Sequence, residues 1–253
     1  KTAAEARLYV NGGCQETIVE GVEHSAGAFY YFSLPRLLDL CLQPLDDLAN
    51  LPTAAAAALP DVIDKAETFA CFYDHVMAAL RTAIVTGAAW RRGVGESWRD
   101  MHPCPFFSAS LAGCLETGRD YTAGGARYNQ ATVAAVGFAT MVDSLFAIRT
   151  AVYDEGWCDL NGLRTALAQD WAAHDMWRQR CIALPKFGHG NAAVDALAAE
   201  FATDLATMIE ACVNERGGRY QPSLFVYYAF EWLAPYVRAT PDGRRAGEWL
   251  SQG

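Results

Sequence analysis

The sequence predicts an α/β fold with a largely parallel sheet. Short apolar stretches, such as Leu8-Tyr9-Val10 and "QPSLFVYYAFEWL" at residues 221–233, alternate with helical patterns of fifteen residues or more. Parallel strands are joined by crossover connections of about a dozen residues, usually helices, so this alternation is typical of an α/β protein. The 253 residues suffice for one large domain or two small ones, and the 52% hydrophobic content indicates a well-buried globular protein.

Helices are predicted from apolar periodicity and from start signals. The stretch "LPTAAAAALPDV" (51–62) is a Pro-bounded, Ala-rich connection, and its Asp61 is a helix start signal. The helix that follows carries its apolar residues on one face, at Val62, Ala66, Phe69, Tyr73, Val76 and Leu80. The predicted helices are Leu34 to Leu42, Asp61 to about Val85, about Gln130 to Asp154, Asp159 to roughly Trp171, and Ala192 to Glu215.

Strands and loops are predicted between these helices. "FFSASL" (106–111) is predicted as a buried strand that ends in a glycine turn, and the aromatic stretch at 221–233 as a second strand. "GVGESW" (93–98) is an incomplete G-x-G-x-x-G motif with no strand before it, so a loop is predicted there. Further turns or loops are predicted at "GGARYN" (124–129), "LPKFGHGN" (184–191) and "ATPDGRRAG" (239–247).

Charge and cysteine content narrow the class of protein. A net charge of -9 argues against nucleic acid or an anionic membrane surface as a partner. No apolar run approaches the ~20 residues that a membrane span needs. The eight cysteines lack CxxC spacing, which favours reduced thiols in a cytoplasmic protein over a disulfide framework. Cys71, Cys181 and Cys212 lie in apolar helical patterns and are predicted to be small core residues.

The sequence around Cys14 does not fit an ordinary thiolate nucleophile. Such a cysteine needs a nearby cation or helix N-terminus to lower its pKa. No Lys, Arg or His occurs between residues 8 and 23, whereas Glu16, Glu20 and Glu23 do, and negative charge raises a thiol pKa. His24 is the nearest imidazole that could act as a base. Metal chemistry is also disfavoured, because no His/Cys cluster has ligand spacing.

A neutral thiol on a glycine turn suits hydrogen-atom transfer. Homolytic removal of the S–H hydrogen gives a thiyl radical without any need for a thiolate. The Asn11-Gly12-Gly13 turn lets the cysteine project without a neighbouring side chain obstructing approach. Glu16, two residues further on, could then act as an acid or base on a radical intermediate.

Five segments resemble the glycyl radical enzymes of the pyruvate formate-lyase superfamily. They are "GGCQE", "SASLAGCLETGRDYTAGGARYN", "VGFATMVDSLFAIRTAVYDEG", "KFGHGNAAVD" and "ATPDGRRAGEWLS", which follow one another from about residue 8 to 251. The resemblance implies that residues 1–253 are part of a ten-stranded α/β barrel, without its N-terminal half and its C-terminal glycyl radical domain. It implies that Cys14 forms the thiyl radical on a central finger loop and that Glu16 is the acid/base. Tyr31 lies where relatives bring side chains toward the substrate, so it either contacts substrate or packs in the core.

The finger-loop sequence favours one branch of this superfamily. Gly13-Cys14-Gln15-Glu16 resembles the Gly-Cys-x-Glu of dehydratases, of choline and isethionate lyases and of hydroxyphenylacetate-type decarboxylases. Pyruvate formate-lyase itself carries two adjacent cysteines, whereas Gly13 precedes Cys14 here, which argues against acyl transfer to a second thiol. An acyltransferase (formate acetyltransferase) is kept as the alternative. Gln15 and Thr17 stand where the family usually has Val and Pro, and "FGHGN" lacks acidic residues of the corresponding family loop, which leaves the substrate open.

The family's R-V-x-G-Y/F loop, which stores the radical on a glycine, does not occur in these 253 residues. Three explanations account for the absence of this loop. The chain is part of a longer one, it pairs with a separate glycyl-radical polypeptide, or it is a radical-dead relative with a binding or scaffold role. For the enzyme, the resemblance implies a small-molecule substrate, a homodimer and an anaerobic cytosol. It also implies no bound cofactor, the radical being installed by an activating enzyme that uses S-adenosylmethionine and an iron–sulfur cluster.

Overall fold

The structure is a computed structural model that describes residues 2–12, 16–24, 26–42 and 66–252. The chain divides into two compact units. Unit 1 comprises Lys1–Tyr31, Ile84–Ala134 and Leu205–Ser223, and unit 2 comprises Phe32–Ala83, Ala135–Asp204 and Leu224–Gly253. Within the described ranges, no helix is both long and apolar enough to cross a membrane.

The regular elements are those of a mixed α/β protein with a parallel sheet. Strands β3, β4 and β5 form one sheet in that order, and β1 and β2 form an antiparallel hairpin. The strands are β1 Tyr9–Gly12, β2 Glu16–Val19, β3 Ala26–Ser33, β4 Ala131–Val136 and β5 Tyr220–Phe225. The helices of nine residues or more are α1 Leu34–Leu42, α2 Phe69–Met101, α3 Phe138–Ile148, α4 Leu160–Ala168, α5 Asp175–Ala183 and α6 Ala192–Glu210.

Several predicted elements are confirmed. Helix α1 has the predicted bounds, and α4 begins after Asp159, whose carboxylate accepts the Gly162 N–H at 2.6 Å as a helix N-cap. Helix α6 begins as predicted at Ala192 but ends at Glu210 rather than Glu215. Helix α5 was not predicted; it has only one fully buried side chain, Cys181, and so shows no apolar face in the sequence.

The prediction for α2 is wrong at both ends. Thr68 accepts the Cys71 N–H through its hydroxyl at 3.2 Å, and the helix begins at Phe69 rather than Asp61, which lies outside the described residues. At the other end α2 continues through the predicted "GVGESW" loop to Met101. A glycine inside a helix costs only about 1 kcal/mol, so Gly93 and Gly95 did not terminate it. Cys71 is exposed on this helix, contrary to the prediction that it lies in the core.

Two further predictions misassign a strand and a helix. The "FFSASL" segment is not a strand, because Pro105–Ser108 forms one helical turn, which Pro at the first position favours, and Phe106 is 94% exposed. Residues 131–136 form strand β4 rather than the start of a helix. Gly137 separates β4 from α3 with a φ of +80°, and a Cβ there would lie 2.7 Å from the Pro35 ring.

The core of unit 2 surrounds α3, which is buried on all sides from Ala139 to Ile148. Trp171 is fully buried, and its indole N–H donates to the Arg244 carbonyl at 3.2 Å. Asp39 on α1 has no exposed side-chain surface and accepts the Arg238 Nε–H at 2.8 Å. Thus part of the predicted polar loop, at Ala239, Thr240 and Arg244, is buried in unit 2, as is Leu250.

Asp143 on α3 gives unit 2 a testable pH dependence. Its Oδ1 accepts the Phe187 N–H at 2.8 Å, and burial raises the pKa of its carboxyl to about 6. The folded state therefore holds this proton more tightly than the unfolded state, and stability falls as the pH rises from about 4 to about 6. Above that pH range, the raised pKa of Asp143, by about two units, lowers the free energy of unfolding by up to about 3 kcal/mol.

We expect Asp143→Asn to raise the melting temperature by several degrees at pH 7.5 and to make stability less dependent on pH between 4 and 6, because the buried carboxyl no longer ionises. The amide oxygen still accepts the Phe187 N–H. Thermal unfolding of both proteins between pH 4 and 8 checks it. Asp154→Asn, at an exposed carboxylate, is the control. A variant less stable than the parent at pH 7.5 would mean that attraction to Lys186 outweighs the cost of burial.

Candidate functional site

The hairpin of β1 and β2 defines the candidate active-site segment. Its strands pair in register from Tyr9 opposite Val19 to Gly12 opposite Glu16. Residues 13–15 connect the paired positions Gly12 and Glu16, and they contain the predicted catalytic residue Cys14, which lies outside the described residues. The backbone of Glu16 is described, as the first residue of β2, whereas its side chain is not. The predicted strand is confirmed at Tyr9 and Val10, whereas Asn11 and Gly12, predicted as part of the turn, continue β1.

Tyr31, the predicted substrate contact, lies on β3 next to a tyrosine with a packing role. The Tyr30 hydroxyl donates to the Ile84 carbonyl at 3.3 Å, and its ring lies against Gly87, where a Cβ would come within 3.2 Å. Tyr30 therefore faces α2. Successive side chains of a strand point to opposite faces, so Tyr31 faces away from α2, and it is 44% exposed. In an α/β barrel the face away from the helices is the lumen.

The base of the hairpin is fixed to the "GGARYN" segment. Glu5 accepts the Tyr128 O–H at 2.9 Å, the Arg127 guanidinium at 3.1 Å and the Thr2 N–H at 2.7 Å. These donors, led by the Thr2 N–H, lower the pKa of Glu5 to about 2. Glu23, just beyond β2, forms a parallel bridge with Tyr128. The base of the hairpin that contains position 14 is therefore held by Arg127 and Tyr128, more than a hundred positions further along the chain.

The motif residues around Asp120 have structural roles. The Asp120 carboxylate accepts the Cys104 N–H, the Ser108 hydroxyl, and both the N–H and the hydroxyl of Thr122, at 2.6–2.9 Å. A Cβ on Gly125 would collide with the Arg119 carbonyl. This hydrogen-bond network positions the turn that precedes Arg127 and Tyr128, the two residues that bind Glu5 at the base of the hairpin.

Asn129 and Arg216 join this segment to the chain before β5. The Asn129 amide donates to the Ala126 carbonyl at 2.7 Å, and Asn214 donates to the Asn129 carbonyl at 2.7 Å. The Arg216 guanidinium donates to the His24 carbonyl at 3.0 Å and to the Gln130 carbonyl at 2.5 Å. Sequence reasoning did not identify Arg216, because a single arginine in a turn carries no pattern.

The imidazole nearest to Cys14 in sequence, His24, packs among aromatic rings. Its ring centroid lies 5.0 Å from that of Phe107 and 4.9 Å from that of Tyr121, both edge-on. Burial, with the nearby Arg216, lowers the pKa of His24, so it is neutral at pH 7. In the part of the chain that the structure describes, no group of three His, Cys, Asp or Glu side chains could hold a metal ion.

A protein-family model described as pyruvate formate lyase-like matches residues 1–229. The chain belongs to this family. The match includes the hairpin, the Asp120 network and β5, so the predicted family is confirmed over most of the sequence.

Three curated members of the pyruvate formate lyase-like family illustrate its chemistry. Trans-4-hydroxy-L-proline dehydratase from Clostridioides difficile is 27% identical over 100% of this chain and 32% of its own length. (2S)-3-sulfopropanediol dehydratase from Klebsiella oxytoca is 25% identical over 99% of this chain and 30% of its own. The glycyl radical subunit of 4-hydroxyphenylacetate decarboxylase from Clostridioides difficile strain CD196 is 23% identical, covering 100% and 32%.

Solved glycyl radical enzymes share the fold. The B12-independent glycerol dehydratase from Clostridium butyricum, in a glycerol-bound form, aligns with a TM-score of 0.88 at 25% identity over 100% of this chain and 32% of that one. Hydroxyproline dehydratase from Clostridioides difficile, with trans-4-hydroxy-L-proline bound, aligns with a TM-score of 0.89 at 24% identity, covering 100% and 32%. The predicted α/β barrel class is confirmed, and the chain spans about a third of the length of these relatives.

Proposed function

We propose that this chain carries the catalytic cysteine of a glycyl radical lyase that dehydrates or decarboxylates a small polar or aromatic substrate. The observation that carries the proposal is the hairpin register, in which Gly12 pairs with Glu16 and leaves Cys14 in a three-residue connection. Family membership and relatives named as dehydratases and a decarboxylase support it. Residues 1–253 would be part of the barrel domain.

The register supports a paired role for positions 14 and 16. A short connection between paired strands limits how far its residues can move from the strand ends. Cys14 and Glu16 are two residues apart in the sequence, and we propose that they act on the same small substrate. The described supports of the hairpin, through Glu5 and Glu23, hold its base in place.

The proposed cycle balances without a net oxidation of the enzyme. The Cys14 S–H bond breaks homolytically, and its hydrogen atom passes to the stored radical. The resulting thiyl removes a hydrogen atom from a substrate C–H bond, which restores the S–H bond and leaves a substrate radical. In a dehydration, Glu16 then transfers a proton to the leaving hydroxyl group, so that water leaves. In a decarboxylation, the thiyl takes the hydrogen atom from the substrate carboxyl group instead, so that carbon dioxide leaves and a carbon radical remains. The product radical takes a hydrogen atom from Cys14, and the thiyl regains the hydrogen atom first passed to the stored radical, which re-forms that radical.

The stored radical would be supplied by a glycine loop of the R-V-x-G-Y/F type outside these 253 residues. The family resemblance further suggests an activating enzyme with S-adenosylmethionine and an iron–sulfur cluster, a homodimer and an anaerobic cytoplasm. The test is anaerobic activation of the natural full-length product, followed by electron paramagnetic resonance and by turnover of diols, hydroxylated amino acids and aryl acetates. A glycyl doublet with turnover supports a lyase. No doublet in any combination of chain and activase refutes it and leaves a binding role.

Tyr31 is proposed to contact the substrate from β3. Its side chain faces away from α2 and is exposed at 44%. We expect Tyr31→Ala to raise KM by roughly tenfold or more, because a stacking or hydrogen-bonding wall of the site is lost, and to leave the radical yield unchanged. Steady-state kinetics of the activated protein measures this. Tyr236→Ala, at another exposed tyrosine, should leave KM unchanged; equal effects of both would show that Tyr31 has no special role.

A further inference from the structure

Unit 1 contains a cavity of about 450 Å³ that the proposed radical chemistry does not use. Its walls include Trp98 of α2, Tyr121, and the consecutive pair Glu215 and Arg216. His24 precedes β3, Tyr121 precedes β4 and Arg216 precedes β5. The cavity therefore lies at the amino-terminal ends of these three strands. The amino ends of parallel strands meet at one edge of a sheet, the edge opposite to the usual catalytic one.

The cavity is separated from the proposed substrate contact. Tyr31 lies five residues into β3 from Ala26, which corresponds to roughly 17 Å along an extended strand. The cavity wall begins on the other side of Ala26, at His24. A ligand in this cavity would therefore not contact Tyr31.

Two buried polar atoms of the cavity wall lack a hydrogen-bond partner among the described residues. They are Glu215 Oε2 and Arg216 Nε, on side chains that are 5% and 4% exposed. The two groups face each other at 3.5 Å between Arg216 Nε and Glu215 Oε1, which leaves Oε2 without a donor. A buried carboxylate oxygen without a donor is unfavourable, and a ligand that supplies an N–H group removes that cost.

The absence of a side chain at Gly95 leaves room for the Glu215 side chain. Gly95 is a buried residue inside α2, where alanine would be the better helix former. A Cβ at this position would lie 2.5 Å from Cδ and Cγ of Glu215. Gly93, two residues earlier in the same helix, is exposed, and a Cβ built there would have no atom within 4 Å. The glycine at position 95 is thus required by the Glu215 side chain.

The charges of the wall indicate the chemical class of the ligand. Glu215 provides an anionic acceptor, and the guanidinium groups of Arg91 and Arg216 provide positive charge. A ligand with an ammonium group alone would be repelled by the arginines, and one with a carboxylate alone would leave Glu215 Oε2 without a donor. Trp98 and Tyr121 offer aromatic surface for an apolar body. A volume of about 450 Å³ is within the range of small-molecule sites.

We propose that this cavity binds a small zwitterion of the aromatic amino-acid class, whose ammonium group donates to Glu215 Oε2 and whose carboxylate faces Arg91. The site is independent of Cys14 and needs no radical. Binding can therefore be measured on the unactivated full-length protein.

The test is isothermal titration with three matched probes: L-phenylalanine, 3-phenylpropionate, which lacks the ammonium group, and phenethylamine, which lacks the carboxylate. We expect saturable binding of L-phenylalanine and roughly ten- to hundredfold weaker binding of the other two, the range of one charged hydrogen bond. Gly95→Ala and Glu215→Gln should weaken L-phenylalanine by a similar factor. Gly93→Ala, in the same helix, should bind as the parent does.

Each result bears on the proposal. Glu215→Gln keeps the shape of the side chain, so it remains informative if Gly95→Ala fails to fold. Absence of saturable L-phenylalanine binding to the parent overturns the zwitterion site. Equal affinity in the parent, Gly95→Ala and Glu215→Gln also overturns it, since the ligand would then lie elsewhere. Neither result affects the proposed radical chemistry, which is measured by turnover.

Discussion

Replacing Cys14 with alanine is expected to reduce turnover of the activated protein to background while the glycyl radical still forms. Alanine has no S–H hydrogen to give and cannot become a thiyl, so the stored radical has no route to the substrate. Electron paramagnetic resonance before and after substrate addition, together with product analysis, measures both parts. The doublet should persist unchanged in the presence of substrate.

Two further variants make the Cys14 result specific. Cys14→Ser keeps the size of the side chain, but its O–H bond is too strong to be broken homolytically in this cycle, so it should be equally inactive. Cys71→Ala removes an exposed thiol on α2 and should retain full activity. Activity in Cys14→Ala above a few per cent of the parent would contradict the thiyl mechanism and point to another hydrogen donor.

Replacing Glu16 with glutamine is expected to lower kcat by about 10²- to 10⁴-fold, the usual contribution of a general acid–base group. Glutamine keeps the size and hydrogen-bonding geometry of the side chain but cannot transfer a proton in this cycle. KM should change little, because the substrate still meets the same walls. Both the radical doublet and the hydrogen-atom step should survive.

A solvent-isotope experiment separates this role from a structural one. In deuterated water the Cys14 thiol exchanges, so reversible hydrogen-atom transfer in Glu16→Gln should place deuterium in the recovered substrate even though little product forms. Glu20→Gln, at an exposed glutamate just after β2, should behave like the parent. Loss of both deuterium uptake and turnover in Glu16→Gln would show that the hairpin, rather than proton transfer, was damaged.

The features that sequence predicted well are those fixed by local chemistry. Helix α1 has a compact apolar pattern, and Asp159 caps α4 through its own carboxylate. The turn at "GGARYN" follows from Gly124, whose φ is +79°, a conformation that glycine adopts at no steric cost. The apolar triplet predicted a strand that the structure confirms at Tyr9 and Val10. In each case the deciding interaction lies within a few residues of the position it determines.

The features that sequence missed depend on distant contacts. Helix α2 contains Gly95, and the missing side chain there accommodates Glu215, a residue 120 positions later. The "FFSASL" segment turns rather than extends because Ser108 bonds to Asp120. An apolar run such as residues 131–136 fits a buried strand and a buried helix equally well. For the candidate site, the chemistry of Cys14 and Glu16 stays a prediction, and sequence reasoning did not identify the residues that support their hairpin.

The supports of the hairpin have a consequence for genome surveys. Residues Asp120 to Asn129, the most recognisable segment of this sequence, direct their polar groups to neighbouring backbone: Asp120 to Cys104 and Thr122, and Asn129 to Ala126. These bonds define a scaffold. A search pattern built on this segment therefore selects for the scaffold and does not test for the cysteine. If the proposed thiyl mechanism holds, counting lyases in a metagenome requires reading position 14 first.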